Sequence, residues 1–316
     1  MTESPGLTVV LRVDRRRERG ERALSSLLAQ SAVGRMEVLV YDFAAGICPA
    51  LPGSSHPAVT VVPVPLHSTI GTIRLDAFQR AHGPIVGFLE EHAIASPGWA
   101  EALLGRFESG NWVGAGPEVA NLRPGALSDT LHALNFPQAA APALAGPALY
   151  LPGNNSAYRR EVVLALGDDL PILLEAEPLL NRRLVSRGYV LGIEPGARIR
   201  HAGEQKLMGF MEASYAYSRM FGGYRSTIEC WSVSRVFLYV ILTPLIPFVR
   251  VSRLLAQTAL RRPEILGSLV RGCGYLMASS FVSALGQSVG LLFGPGRSPE
   301  HFLSLEMNAP RDLPPG

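Results

Sequence analysis

The strongest constraint on the fold lies in residues 7–107, where short apolar runs alternate with segments of helical spacing. LTVVLRV (7–13), MEVLVYDF (36–43), VTVVPV (59–64) and PIVGFLEEH (84–92) have the length and content of buried strands. ERALSSLLAQ (21–30), IRLDAFQRA (73–81) and SPGWAEALLGRF (96–107) repeat their apolar residues at helical spacing. Strands apolar on both faces must be covered on both faces, and helical crossovers between them make neighbouring strands parallel. The expected fold is therefore α/β, a Rossmann-like, mostly parallel sheet with helices on both sides. Ligands of such sheets bind beyond the C-terminal ends of the strands. Asp42 and the triplet Glu90, Glu91, His92 fall at such ends.

The middle of the chain is less regular. Residues 116–152 are rich in Pro, Ala, Gly and Leu and read as irregular connection with short strands. GNNSAYRREVVLALG (153–167) reads as a turn followed by a helix. LLEAEPLLNRRLVSRGYVLGIEP (173–195) reads as a helix, a stop at Gly188 and a strand, with IRHAG (199–203) following. After about residue 230 the character changes. Residues 236–249 and 272–296 carry no charge, while Arg250, Arg253, Arg261, Arg262 and Arg271 lie between them against one acid, Glu264. A membrane span needs about 20 apolar residues. The first stretch is too short and contains Pro244 and Pro247; the second is long enough but diluted by Gly, Ser and Gln287. Charged residues are only 17% of the chain, and this apolar region accounts for the deficit. A net charge of +3 is too weak to point to nucleic acid. Cys48, Cys230 and Cys273 fit neither a zinc site nor a CxxC pair, and suggest reduced thiols.

Several residues have the chemistry of a site. On an extended strand alternate residues share a face, so Glu90 and His92 could reach one metal ion. Glu175 and Glu177 stand two apart beside an apolar run, and either could serve as a general base. His201 follows a strand-like segment, and Asp42 ends the second strand.

Taken in order, these segments resemble family-2 glycosyltransferases of GT-A fold over residues 7–205, and more weakly to 305. LTVVLRVDRRRERGERALSSLLAQ is similar to the family's opening strand and helix, and places Val13 at the nucleotide site. MEVLVYDFA is similar to the second strand, and puts Asp42 on the acid that contacts the nucleotide base. GTIRLDAFQRAHGPIVGFLEEHAIASPGW matches the segment in which Arg74 lies near the nucleotide and Glu90 and His92 replace the metal-binding D-x-D pair. Trp99 ends that segment, a candidate for stacking on a sugar ring. GNNSAYRREVVLALG matches the loop near sugar and acceptor, with Gly153, Asn154 and Asn155. LLEAE followed by Gly188 and Tyr189 matches the helix that carries the base, and counting back places Glu177 on it, with Glu175 second. EPGARIRHAG matches the segment whose histidine, here His201, completes the metal shell. The chain departs from the family in lacking the usual Asn after the first strand, a second acid after Asp42, and the ED pair, which reads AE. FLEEH, LLEAE and LLFGPG together resemble a branch of the family with a FLE(E/D)H motif and a hydrophobic C-terminus.

The resemblance implies an inverting transferase that moves a sugar from a UDP- or GDP-linked donor to a glycan or lipid-linked acceptor, in envelope polysaccharide or lipid-linked glycan synthesis. A divalent ion is implied, and His92 shifts the preference from Mg2+ toward Mn2+. The expected division is a catalytic domain over 1–225 and a membrane-associating helical region over 226–316. Two full spans would put the arginine loop and the catalytic domain on opposite faces, against the cytoplasmic preference of arginine. A peripheral, monotopic or re-entrant attachment through residues 236–296, on the cytoplasmic face, avoids that conflict. The alternative is a catalytically inactive relative that binds or assembles at the membrane.

Overall fold

A computed structural model describes residues 4–65, 67–203, 206–309, 311 and 313, except the side chains of Arg261 and Glu264. The arginine-loop expectation for those two residues thus lies outside the described side chains. By contacts the chain forms two compact units: 1–122 with 138–202 and 312–316, and 123–137 with 203–311.

The first unit holds one mixed sheet. Its strands are β1 (Leu7–Val13), β2 (Met36–Asp42), β3 (Val59–Pro63), β4 (Ile85–Glu90), β5 (Ala93–Ala95), β6 (Trp112–Asn121), β7 (Gly146–Pro147), β8 (Ala157–Arg159) and β9 (Val190–His201). The order is β3-β2-β1-β4-β8-β6-β9-β5, with β7 on β9. β3, β2, β1 and β4 run parallel, as the alternation requires; β8 is antiparallel to both β4 and β6, and β6 is parallel to β9. Helices α1 (Arg17–Leu28), α2 (Ile70–Arg80) and α3 (Trp99–Ser109) follow the strands expected. Leu7, Val9, Leu11, Val38, Val40 and Val86 are fully buried, which is what strands without alternation predicted.

Three local expectations change. α3 begins at Trp99, with Gly98 at φ 85° ahead of it, rather than at the start of the 96–107 segment. Residues 112–121, expected to be partly irregular, form a ten-residue strand, followed by helix α4 (Ala126–Asn135). Small residues make this strand possible: a Cβ on Gly114 would lie 2.8 Å from Leu191 and one on Gly116 2.8 Å from Pro152. After α5 (Arg160–Leu164), the single helix expected from 173 is two, α6 (Leu170–Glu175) and α7 (Glu177–Ser186), broken at Ala176 (φ −114°, ψ 79°). Pro178 in the first turn of α7 suits a helix start, where its missing N–H is not needed.

The second unit contains α4, α8 (Leu207–Ile228), α9 (Val233–Ile241), α10 (Ile246–Arg261), α11 (Pro263–Arg271), α12 (Cys273–Phe293) and α13 (Ser298–Asn308). α8, inside the expected catalytic range, thus groups with the apolar helices. It packs along α12 at backbone distance: a Cβ on Gly286 would meet the Tyr215 carbonyl at 2.6 Å, and one on Gly290 would strike the Arg219 carbonyl. The Gly286-xxx-Gly290 spacing is a helix-packing face here. Ala133, Val251, Leu254, Leu269 and Leu276 form a core of this unit. Among the described residues, α12 is the one helix long and apolar enough to cross a membrane; half of it is buried. α9 and the following helical segment pass the same test only as a pair, and they bend by 48°.

Candidate active site

β1, β2 and β4 end together. Val13 is paired with Asp42 and Arg12 with Glu90, so the C-terminal edge of the parallel strands brings Glu90 beside the turn after β1. β4 stops at Glu90, and β5 restarts at Ala93 in antiparallel register with His201. The Ala202 N–H donates to the His92 carbonyl at 2.9 Å. This register, between residues far apart in sequence, sets the two imidazoles edge to face with centroids 4.7 Å apart.

Glu90 Oε2 lies 3.0 Å from His201 Nε2 and 3.6 Å from His92 Nε2. All three side chains are buried, and among the described residues they form one cluster whose potential ligand atoms lie within 4.8 Å of one another. The side-chain amides of Asn154 and Asn155 donate to Glu90 Oε1 and Oε2 at 2.8 and 2.6 Å. The Glu90 N–H returns a bond to Asn155 Oδ1 at 3.2 Å. One carboxylate and two imidazoles, with amides fixing the carboxylate from behind, fit a divalent transition ion better than Mg2+, which favours oxygen ligands.

A second carboxylate stands on the other side of the 153–155 turn. Glu177 is the first residue of α7 and only 5% exposed. Its Oε1 accepts from the Tyr158 hydroxyl at 3.2 Å, and its Oε2 lies 3.4 Å from Arg74 Nη2. Arg74 also donates to the Gly153 carbonyl, Asn154 Oδ1 and the Leu174 carbonyl at 2.8, 2.8 and 2.7 Å. One guanidinium thereby ties α2 to the turn that supports Glu90 and to the break that presents Glu177. Burial pushes the Glu177 carboxyl up to about 7, although Arg74 pulls it down. Gly153 leaves the room that Glu177 occupies: a Cβ there would land on the carboxylate, 2.7 Å from its Cδ, and the carboxylate would have to move.

Glu175 points elsewhere. The break at Ala176 turns it to the start of α2, where its Oε2 accepts the Gly71 N–H at 2.9 Å. A carboxylate there complements the helix N-terminus. Its carboxyl is raised by burial and held back by hydrogen bonds from Thr69 and Gly71.

Glu91, the middle of the triplet, faces away from Glu90. It pairs with the buried Arg19 of α1 and accepts the Asp14 N–H at 3.1 Å. Burial pushes its carboxyl up to about 8 against the pull of Arg19. Asp42 is clamped by Arg17, whose Nη1 and Nη2 donate to its two oxygens at 2.8 and 2.9 Å. Val13 is fully buried, and its carbonyl accepts the Phe43 N–H at 3.0 Å.

Trp99 is a correction. It is 1% exposed, among the largest fully buried side chains, with its ring 3.9 Å from the point a Cβ on Gly87 would occupy. An aromatic ring stacked on a sugar needs an open face, and this one is closed by the core. Tyr158, Arg17 and Arg19 were not anticipated as site residues. Tyr158 falls in GNNSAYRREVVLALG, expected to be a turn and a helix, whereas residues 157–159 form β8; Arg17 and Arg19 stand in the RRRER run after β1.

No protein-family model matches the chain, and no curated protein matches it in sequence. Solved structures do. The mannosyltransferase PcManGT from Pyrobaculum calidifontis, in complex with GDP-Man and Mn2+, superposes with a TM-score of 0.55 at 14% identity, covering 92% of this chain and 88% of its own. The fold is that of GT-A transferases. GalNAc-T7, with UDP, GalNAc and Mn2+, gives a TM-score of 0.46 at 13% identity over 63% of this chain and 43% of its own.

Proposed function

We propose that this chain is an inverting glycosyltransferase that uses a nucleotide-diphospho-sugar. The observation that carries the reading is the placement of two separated carboxylates about the turn 153–155. Glu90, with His92 and His201, offers a metal-ligand set, and Glu177 offers a base whose affinity for protons is raised to near neutrality. A general base works best with a pKa near the working pH. In the proposed step, ionised Glu177 takes the acceptor hydroxyl proton. The acceptor oxygen attacks the anomeric carbon from the face opposite the diphosphate, and the bond to the diphosphate oxygen breaks with its electron pair. A divalent ion held by Glu90, His92 and His201 would neutralise the leaving diphosphate. Tyr158 and Arg74 orient Glu177, and Asn154 and Asn155 orient Glu90.

The reading includes attachment to the cytoplasmic face of a membrane through the second unit. Its support is the run of exposed apolar side chains on α9 and α10, among them Phe237, Leu238, Ile241, Phe248 and Val249, next to a helix of spanning length. A half-buried α12 and a bent pair fit a monotopic or re-entrant arrangement. Such attachment suits a lipid-linked or growing glycan acceptor, as in envelope synthesis.

The test is a thermal shift of the protein in mild detergent with nucleotide diphosphates and nucleotide sugars, with and without Mn2+. A ligand that binds only the folded chain raises its melting temperature. A shift that requires both one nucleotide and the ion supports a donor site. No shift with any nucleotide or ion would leave a non-catalytic assembly protein as the better reading.

A further inference from the structure

The family resemblance gives Asp42 the task of contacting the nucleobase. We infer that Arg17 reads the base instead and selects guanine, with Asp42 acting as its positioning residue; the inference rests on the donor-site reading above.

The lone pairs of Asp42 are largely taken. The residue is 5% exposed, and both its oxygens accept from Arg17, Nη1 to Oδ1 at 2.8 Å and Nη2 to Oδ2 at 2.9 Å. Oδ1 also accepts the Ala44 N–H at 2.8 Å. A carboxylate oxygen has two lone pairs, so Oδ1 is filled and the charge is matched by the guanidinium in a forked pair. Little of Asp42 is left to receive a base.

Arg17 is differently placed. Its forked bond uses the edge formed by Nη1 and Nη2, which leaves the edge formed by Nε and Nη2. The Nε–H is buried with no acceptor. A buried donor without a partner is costly, which favours a ligand that brings an acceptor. The side chain is anchored at both ends. Asp42 fixes its tip, while the turn that carries it is tied down by Asp14, whose Oδ1 accepts the Arg16 N–H at 2.6 Å and whose own N–H donates to Glu91. Arg17 therefore stands at the C-terminal edge of β1 and β2 as a rigid pair of parallel N–H donors, at the position where such sheets bind ligands.

Two parallel donors match two adjacent in-plane acceptors. Guanine has them in O6 and N7; adenine presents N7 beside an N6 donor, which opposes the second N–H. Uracil presents O4 with no adjacent acceptor.

The experiment is calorimetric titration of the detergent-solubilised full chain with GDP, UDP and ADP in the presence of Mn2+. Wild type, Arg17→Ala, Arg17→Lys, Asp42→Asn and the Arg17→Ala/Asp42→Asn double variant are compared, each checked for folding by circular dichroism. Wild type should bind GDP about 10- to 100-fold more tightly than ADP, the usual range for hydrogen bonds to a charged group, with UDP between. Both Arg17 variants should bring GDP and ADP within about threefold, and adding Asp42→Asn to Arg17→Ala should change nothing further, because Asp42 acts through Arg17. Arg17→Lys keeps the charge opposite Asp42 and so guards against a mere loss of folding. An unchanged preference in Arg17→Ala with its collapse in Asp42→Asn would return the reading to Asp42 and overturn the inference. Equal binding of all three by wild type, or a preference for ADP, would also overturn it while leaving the donor site intact. Binding of none would remove the donor site itself.

Discussion

Replacing Glu177 by Gln tests the site through stability as well as turnover. Burial moves the carboxyl from its ordinary 4.5 to about 7 in the folded chain. The folded state thus holds a proton that the unfolded state has already released between those values, so stability falls with rising pH across this window. Below pH 4.5 the group is neutral in both states and its contribution is fully present; above pH 7 the folded chain carries a buried carboxylate and the contribution is lost. The rise from 4.5 to about 7 corresponds to roughly 3 kcal/mol at ~1.36 kcal/mol per tenfold change. Gln keeps the shape and cannot ionise, so this pH dependence should vanish. Melting temperatures of wild type and Glu177→Gln, followed by circular dichroism from pH 5 to 8, should diverge with pH in favour of the variant. The change should be roughly 4–5 °C, at about 1.5 °C per kcal/mol for a chain of this size. Other groups titrate equally in both proteins and cancel in the difference. Transfer should rise about tenfold per pH unit below 7 in wild type and be abolished in the variant. A temperature difference that stays constant from pH 5 to 8 would refute the reasoning, because Glu177 would then titrate at an ordinary carboxylate value. Full turnover by Glu177→Gln would move the base to another group.

Gly153→Ala places a methyl group on the Glu177 carboxylate; it should cost transfer at least about tenfold while Mn2+ binding, measured by titration, changes less. His201→Ala removes one of the three candidate ligands, leaving Glu90 and His92, and should weaken Mn2+ binding by at least about tenfold, read from the same titration. Phe237→Glu puts a charge on the exposed face of α9, and should reduce flotation of the protein with anionic lipid vesicles several-fold without lowering its melting temperature.

How much of this was legible depended on how far apart the interacting residues lie. β1, β2 and β4 could be read because unbroken apolar runs such as LTVVLRV have few other solutions, and Asp42 and Glu90 could be read as their ends. The pairing of Glu90 with His92 was anticipated for an incomplete reason. They meet, but not as alternate residues of one strand, since β4 stops at Glu90; the register of Ala93 with His201 adds the second histidine, and nothing local encodes a register formed across the sheet. The partners of Arg17 and Arg19 are not legible locally, because their acids lie far along the chain, at 42 and 91. Read as one continuous helix, the segment leaves Glu175 and Glu177 as rivals. Pro178 was the available signal: a proline suits a first helical turn, so a new helix starting at Glu177 follows, and the break sends one carboxylate to cap α2 and the other to Arg74. Trp99 failed in the opposite direction. Its motif suggests a ligand contact, but the ring at the start of α3 is almost wholly enclosed among core side chains. In each case residue chemistry was visible in the chain, whereas direction depended on a backbone break or a distant register. A motif therefore locates a site more securely than it assigns the work among neighbouring residues.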